Sequence, residues 1–366
     1  MQKYLRYREL FAGRLFFCIC VVGYVLFGSR VAQALPRPDH IVIVIEENKS
    51  YAEIIGNPAA PYINQLSGRG AMFTQSFGVS HPSQPNYLAL FSGSTQGISS
   101  DICPLELNGD NLAGALLKKG AGFAIYSESM PQAGFTGCSY GAYMRKHNPL
   151  ANWKELAALN QPFGAFPKDY AQLPAVAFVV PDQNNDMHDG SVAQGDAWLA
   201  NNIELYAQWA MTHNSLLIVT WDEDDSSANN RVATLFVGPM VKTGSSAQPI
   251  NHYSILRTIE EMMGLAYLGQ SAQVESVAGV WQQSTVTASR SDCLFNWAEQ
   301  HYAQYFSPAA ISATYTPYYY RYYSGTGNYL AVSSADNNVY VQGASFGNVP
   351  VAVGSTTSFL GPSGCQ

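Results

Sequence analysis

The chain has 366 residues, 47% of them hydrophobic, which is enough apolar material for one large core plus an appendage and excludes a disordered polymer. Only 12% of residues are charged and the formal net charge is −7, so the chain lacks the basic face that nucleic-acid binding needs.

Lys3, Arg6, Arg8 and Arg14 precede an apolar run over 15–28, and Val31-Ala32-Gln33-Ala34 follows. This is the layout of a secretory signal peptide, with cleavage expected after Ala34 and a secreted or periplasmic mature chain. The alternative is a retained anchor, for which the apolar run is short. No later segment is apolar enough to span a bilayer, so no integral membrane segment is expected after cleavage. Cys103, Cys138, Cys293 and Cys365 remain in the mature chain. Four cysteines in an exported protein suggest two disulfides, and proximity in sequence favours Cys103–Cys138 and Cys293–Cys365.

The run 41–45 is continuously β-branched, as in a central parallel strand buried on both faces. Further strands are expected over 71–77, 122–126, 175–180, 215–221 and 232–237. Helical patterns fall at 61–67, 111–119, 191–211 and 254–263. Strands alternating with helices predict an α/β domain over 35–306, with a mostly parallel sheet and helices on both faces. Residues 81–93 read as a loop turning into a helix, with Ser83 suited to the N-cap and Pro85 to the first turn. From about Ser307 the composition shifts. Tyr315, Tyr318, Tyr319, Tyr320, Tyr322 and Tyr323 crowd together ahead of short alternating pieces, which predicts a small β-rich appendage over 307–366. Its aromatic residues suit either stacking on a carbohydrate or packing against the main domain.

Ligands of open parallel sheets bind outside the carboxyl ends of the strands. Polar clusters recur there: Glu46-Glu47-Asn48, His81-Pro82-Ser83, the loop 182–189 and Asp222-Glu223. Glu47, Asn48, Asp222 and Glu223 offer three carboxylates and an amide oxygen, an all-oxygen set suited to one divalent cation such as Ca2+, Mg2+ or Mn2+. Ser83, at a helix start where backbone N–H groups and the dipole favour an anion, is a candidate nucleophile. His188 and His252, each near a helix start, are candidates for phosphate contact or proton transfer, and His81 and Asn48 for substrate contact. His40, His147, His213 and His301 have no such context and receive no role.

With these motifs in view, the sequence resembles the phosphoesterase family of secreted bacterial acid phosphatases and phospholipases C, within the alkaline phosphatase superfamily. The resemblance is carried by Ile-Glu-Glu-Asn-Lys-Ser-Tyr at 45–51, His-Pro-Ser-Gln-Pro-Asn-Tyr-Leu-Ala-Leu-Phe-Ser-Gly at 81–93 and Pro-Asp-Gln-Asn-Asn-Asp-Met-His-Asp-Gly at 181–190. Trp-Asp-Glu-Asp at 221–224 and Asn-His-Tyr-Ser-Ile-Leu-Arg-Thr-Ile-Glu at 251–260 complete it. The compact secreted acid phosphatases, including those acting on phosphatidylinositol 3-phosphate, are the nearest in pattern. Asp-Glu-Asp-Asp-Ser at 222–226 departs from the Asp-Glu-His-Gly-Gly of the phospholipases C. The resemblance implies an alkaline-phosphatase-like fold and metal ligation by Glu47, Asn48, Asp222 and Glu223. It also implies a Ser83 nucleophile that becomes phosphorylated, and His188 and His252 at the phosphate. Of Asp182 and Asp186, it leaves open which faces the site. The expected activity is hydrolysis of phosphate monoesters, including lipid phosphates. The alternatives are a phospholipase C-like diesterase and a surface-binding protein on an inactive scaffold.

Overall fold

The computed structural model describes residues 35–282 and five C-terminal strands. In chain order the strands are β1 (His40–Glu46), β2 (Ala71–Phe73), β3 (Ser76–Phe77), β4 (Phe123–Ser127), β5 (Ser139–Tyr140), β6 (Tyr143–Met144), β7 (Asn160–Pro162) and β8 (Val176–Val180). They continue with β9 (Ser215–Trp221), β10 (Arg231–Val232), β11 (Thr234–Val237), β12 (Gly244–Ser246) and β13 (Ile250–Asn251). The helices are α1 (Tyr51–Ile54), α2 (Pro61–Ser67), α3 (Ser83–Ser92), α4 (Leu112–Lys118), α5 (Val192–Asn202), α6 (Glu204–Ala210) and α7 (His252–Met263).

The central sheet has eight strands in the order β12-β2-β11-β9-β1-β8-β4-β7. Its middle, β9-β1-β8-β4, is parallel throughout. Strand β11 runs antiparallel to both β9 and β2. The missing alternation in β1 has a direct cause. Ile41, Ile43 and Ile45 face a core with Tyr87, Phe91, Leu116 and Ile259, from α3, α4 and α7. Val42 and Val44 face a second core with Ile63, Leu199 and Tyr206, from α2, α5 and α6. Each of these β1 side chains is buried, contributing about 1.5–3 kcal/mol. Both faces of the sheet are therefore closed, and its chemistry is confined to the strand ends.

The run 71–77 forms two strands in different sheets, because β3 leaves the main sheet to pair with β10 and β13. Likewise 231–237 divides between the two sheets. The pattern over 191–211 is two helices meeting at Ile203. Helix α3 starts at Ser83, with Pro82 as its N-cap residue and no side-chain cap, so Ser83 is the first helical residue and not the cap. All ten of its residues are buried, and it ends at Gly93, whose φ of 69° is left-handed. A Cβ at Gly93 would run into the Leu268 carbonyl, so the close packing there requires glycine. The Cys103–Cys138 disulfide is present; the pair Cys293–Cys365 lies outside the described residues. The C-terminal strands, β14 (Ala310–Tyr315), β15 (Tyr318–Tyr323), β16 (Tyr329–Ser333), β17 (Asn338–Gln342) and β18 (Val351–Ser355), form an antiparallel five-stranded meander. Among the described residues no helix is long and apolar enough to cross a membrane.

Candidate active site

Strands β1 and β9 are paired in register to their last residues, Glu46 opposite Trp221, so the residues that follow them emerge side by side. The Asp222 N–H donates to the Glu46 carbonyl at 3.0 Å, and the Glu47 N–H to the Asp186 carbonyl at 2.7 Å. Asn48 follows with φ 44°, a left-handed conformation that asparagine tolerates better than most residues. In that conformation its N–H reaches Asp222 Oδ1 at 3.3 Å. The same Asp222 oxygen accepts the Glu223 N–H at 2.6 Å, and Asp222 Oδ2 is buried without a partner.

Helix α3 brings Ser83 to these carboxylates. Ser83 Oγ donates to Glu47 Oε2 at 3.0 Å and lies 3.3 Å from Glu223 Oε1. Because Ser83 is not spent as a cap, its hydroxyl is available to the site. One end of the Asn48 amide lies 3.0 Å from Glu47 Oε2 and 3.2 Å from Glu223 Oε1. As an NH2 it donates to both; as an oxygen it completes a ring of acceptors. Edges near 3 Å are those between neighbouring oxygen ligands of a hard cation at roughly 2.1–2.4 Å. Tyr87, one turn after Ser83, donates to the other Glu47 oxygen at 2.5 Å. Asn86 anchors the approach to the helix, its Oδ1 accepting the Val79 and Ser80 N–H groups at 2.9 and 3.0 Å.

Burial dominates the electrostatics. It pushes the Glu47, Asp222 and Glu223 carboxyls above their ordinary range, reinforced in Asp222 by the charge of Glu47. The Asp186 carboxyl is pushed up to about 8 by burial. Crowded carboxylates that water cannot reach need protons or a cation.

The four histidines around this cluster have distinct settings. His81 Nδ1 pairs with Glu223 Oε2 at 2.7 Å and its Nε2 with Asp224 Oδ1 at 3.2 Å. His252 Nε2 lies 2.5 Å from the Asp222 carbonyl, and burial lowers its pKa to about 4. It is thus a neutral donor that fixes the backbone of Asp222. His188 Nδ1 pairs with Asp189 Oδ1 at 2.8 Å, and its Nε2 lies 3.3 Å from Lys146 Nζ. His147 is 2% exposed and sits between two acids, Nε2 at 3.3 Å from Glu47 Oε1 and Nδ1 at 3.3 Å from Asp186 Oδ2. Glu47, His147 and His188 hold candidate ligand atoms within 4.8 Å of one another, a group able to hold a metal ion. The Lys146 ammonium beside His188 opposes a cation there, whereas among the described residues no lysine or arginine is paired with Glu47 or Glu223 of the oxygen ring.

A family model described as Phosphoesterase family matches residues 57–266, more than half of the chain. The chain belongs to the phosphoesterase family. This phosphoesterase is 48% identical over 266 residues to phosphatidylinositol-3-phosphatase of Mycobacterium tuberculosis, covering 71% of this chain and 88% of the relative. It is 30% identical to an acid phosphatase of Aspergillus fumigatus over 56% of this chain and 51% of that one, so it spans about half the length of the fungal relative. A Vibrio parahaemolyticus protein of the alkaline phosphatase superfamily aligns with a TM-score of 0.47 and 12% identity, covering 89% of this chain and 84% of that chain.

In this phosphoesterase Glu47, Asn48, Ser83, Asp222 and Glu223 converge, with His81 on the Glu223–Asp224 side and His188 on the Asp186 side. Asp186 faces the site through His147. Asp182 instead organises its loop, accepting the Asn184 N–H at 3.1 Å and the Ser129 hydroxyl at 2.6 Å. The sequence pattern assigns no role to His147, Lys146 or Asp101, and gives Tyr87 only an apolar packing position on its helix. For Lys146 and His147 the one signal is local: Arg145-Lys146-His147-Asn148 is a concentrated polar run in a chain with few charges.

Proposed function

We propose that this protein is a metal-dependent phosphomonoesterase in which Ser83 is the nucleophile. The observation that carries the reading is the position of Ser83 Oγ at hydrogen-bonding distance from both Glu47 and Glu223, at the start of a buried helix. Glu47, Asn48, Asp222 and Glu223 would hold one divalent cation, and the unpartnered, buried Asp222 Oδ2 fits that assignment. When bound, such an ion, whether Ca2+, Mg2+ or Mn2+, supplies positive charge to a phosphate oxygen and to the serine oxygen.

Ser83 gives its proton to a neighbouring carboxylate and attacks phosphorus in line. The bond from phosphorus to the leaving alcohol breaks, and a phosphoserine forms. His188, oriented by Asp189 through Nδ1, presents Nε2 and protonates the leaving oxygen. Water then attacks the phosphoserine with the same histidine as base; the bond from phosphorus to Ser83 Oγ breaks, the carboxylate returns its proton to Oγ, and inorganic phosphate is released. His252 and His81 act on position, through the Asp222 carbonyl and the Glu223 carboxylate. The phosphatidylinositol-3-phosphatase relative supports phosphoinositides as substrates. The mature protein, released after Ala34, works outside the cytoplasm, which the Cys103–Cys138 disulfide supports.

The test compares p-nitrophenyl phosphate, its bis-ester and a soluble phosphatidylinositol 3-phosphate, with and without chelator. The reading expects chelator-sensitive release from both monoesters and little from the bis-ester. A preference for the bis-ester would transfer the site to diester chemistry.

A further inference from the structure

A phosphate dianion reaching Ser83 meets Glu47 and Glu223, both buried. Fixed negative charges that close repel it strongly unless fixed positive charge is present. We propose that Lys146 binds the substrate's phosphate and that Asp101 positions it for that contact; the inference rests on the phosphatase reading of the same site.

Three observations converge on Lys146. Its Nζ lies 3.0 Å from Asp101 Oδ2 and 3.3 Å from His188 Nε2, and its side chain is 19% exposed, so the ammonium is held in place yet reachable. The other Asp101 oxygen accepts the backbone N–H of Gln84 at 3.0 Å, the residue after Ser83. One carboxylate therefore ties the lysine to the first turn of the nucleophile's helix. The Gln84 side chain then locks the loop in register. Its Oε1 accepts the Ile102 N–H at 2.6 Å, and its Nε2 donates to the Ile102 carbonyl at 3.1 Å. Gln84 is itself buried, which makes this a built contact rather than a surface one.

The charge inventory points the same way. Among the described residues, Lys146 is the one lysine or arginine ion-paired beside the cluster; the other such pairs are Arg69–Glu204, Lys118–Asp110 and Arg257–Glu261. Lys49, next to Asn48, turns back to the Asn48 carbonyl at 3.2 Å. A lysine ammonium has three donors on a compact head. One is held by Asp101 and one faces His188 Nε2, which leaves the third to meet a phosphate oxygen beside His188. Lys146 is thus a substrate-binding residue, and Asp101 is a positioning residue that acts through it.

The experiment measures kcat and KM for p-nitrophenyl phosphate, the inhibition constant of inorganic phosphate, and thermal stability. The variants are Lys146→Met, Lys146→Arg, Asp101→Asn and the Lys146→Met/Asp101→Asn double mutant. Loss of one charge-assisted contact predicts that Lys146→Met raises KM and the phosphate inhibition constant together, by about 10- to 100-fold. Lys146→Arg recovers part of that loss, because the charge returns. Asp101→Asn keeps an acceptor for the Gln84 N–H and produces a smaller rise. In the Lys146→Met background it adds little, since it acts through the lysine. A lysine serving structure alone would lower thermal stability and leave both constants within about twofold of wild type, and that result overturns the proposal. Should Lys146→Met not fold, Lys146→Gln is read by the same two constants. A wild-type protein that releases no phosphate with any divalent metal refutes the phosphatase reading first, and this inference with it.

Discussion

Replacing Tyr87 with phenylalanine removes a single oxygen from the site. The ring stays where it is, buried and stacked on His147 with centroids 5.3 Å apart and planes 13° apart. What disappears is the 2.5 Å donation to Glu47 Oε1. The remaining neighbour of that oxygen is His147 Nε2, at the longer distance of 3.3 Å. Burial holds the Tyr87 hydroxyl well above its ordinary pKa, so it donates at every working pH. A hydrogen bond to a charged group contributes about 1.5–3 kcal/mol. Because Glu47 carries both the Ser83 contact and a place in the oxygen ring, the loss should appear in activity as well as stability. The expected fall in kcat/KM is about 10- to 100-fold, with the apparent affinity for the activating metal weakened in parallel. The assay is phosphate release from p-nitrophenyl phosphate across a titration of divalent metal, alongside a denaturant curve. A Tyr87→Phe enzyme with wild-type metal dependence and stability, and kcat/KM within about twofold, would refute the claim that Glu47 is held for catalysis.

Two further outcomes follow from the buried charges. The Asp186 pKa of about 8 exceeds its unfolded value, so its contribution to stability is full at low pH and is lost as pH rises through about 8. His147 and His252, lowered to about 4, act in the opposite sense, but only between about pH 4 and their ordinary value near 6.5. Above about pH 6.5 the carboxyl effect stands alone. Chelated protein should therefore melt at a lower temperature at pH 8 than at pH 6.5, and added Ca2+ should raise the midpoint more at pH 8. Chelated protein equally or more stable at pH 8 would contradict this account of the site. His252→Phe removes the donor to the buried Asp222 carbonyl and should cost about 1–3 kcal/mol in a denaturant titration. Lost activity with unchanged stability would instead mark His252 as a proton donor.

The parts of the fold that read correctly from sequence are those whose cause is local. Strand β9 and helix α2 fall where the pattern places them, because a buried apolar run and a proline-led helix carry their own signals. Glu47, Asn48, Asp222 and Glu223 were legible because they directly follow such strands, and the parallel register delivers them together. Ser83 stands at the helix start that the pattern predicts, but as the first helical residue and not as its cap. A serine before a helix suits a cap, yet here carboxylates arriving from two other strands claim its hydroxyl. Strand β3 has no local mark separating it from β2; only its distant partners Arg231 and Ile250 do so. His147 is the clearest loss. It follows no predicted strand, and its two acids are 100 and 39 residues away, so its one nearby mark is the polar run 145–148, which does not by itself announce a site (147 − 47 and 186 − 147). It is brought there by a segment tied through Cys138 to Cys103 and by Arg145, which donates to the Thr136 and Leu105 carbonyls.

The central claim is that Ser83 carries the phosphoryl group, and turnover by Ser83→Ala at saturating metal and substrate tests it most directly. The serine is a small buried residue, so the alanine protein should fold as wild type does by circular dichroism. The account predicts a loss of about a thousandfold or more in phosphate release. Release near the wild-type rate from folded Ser83→Ala protein would contradict it.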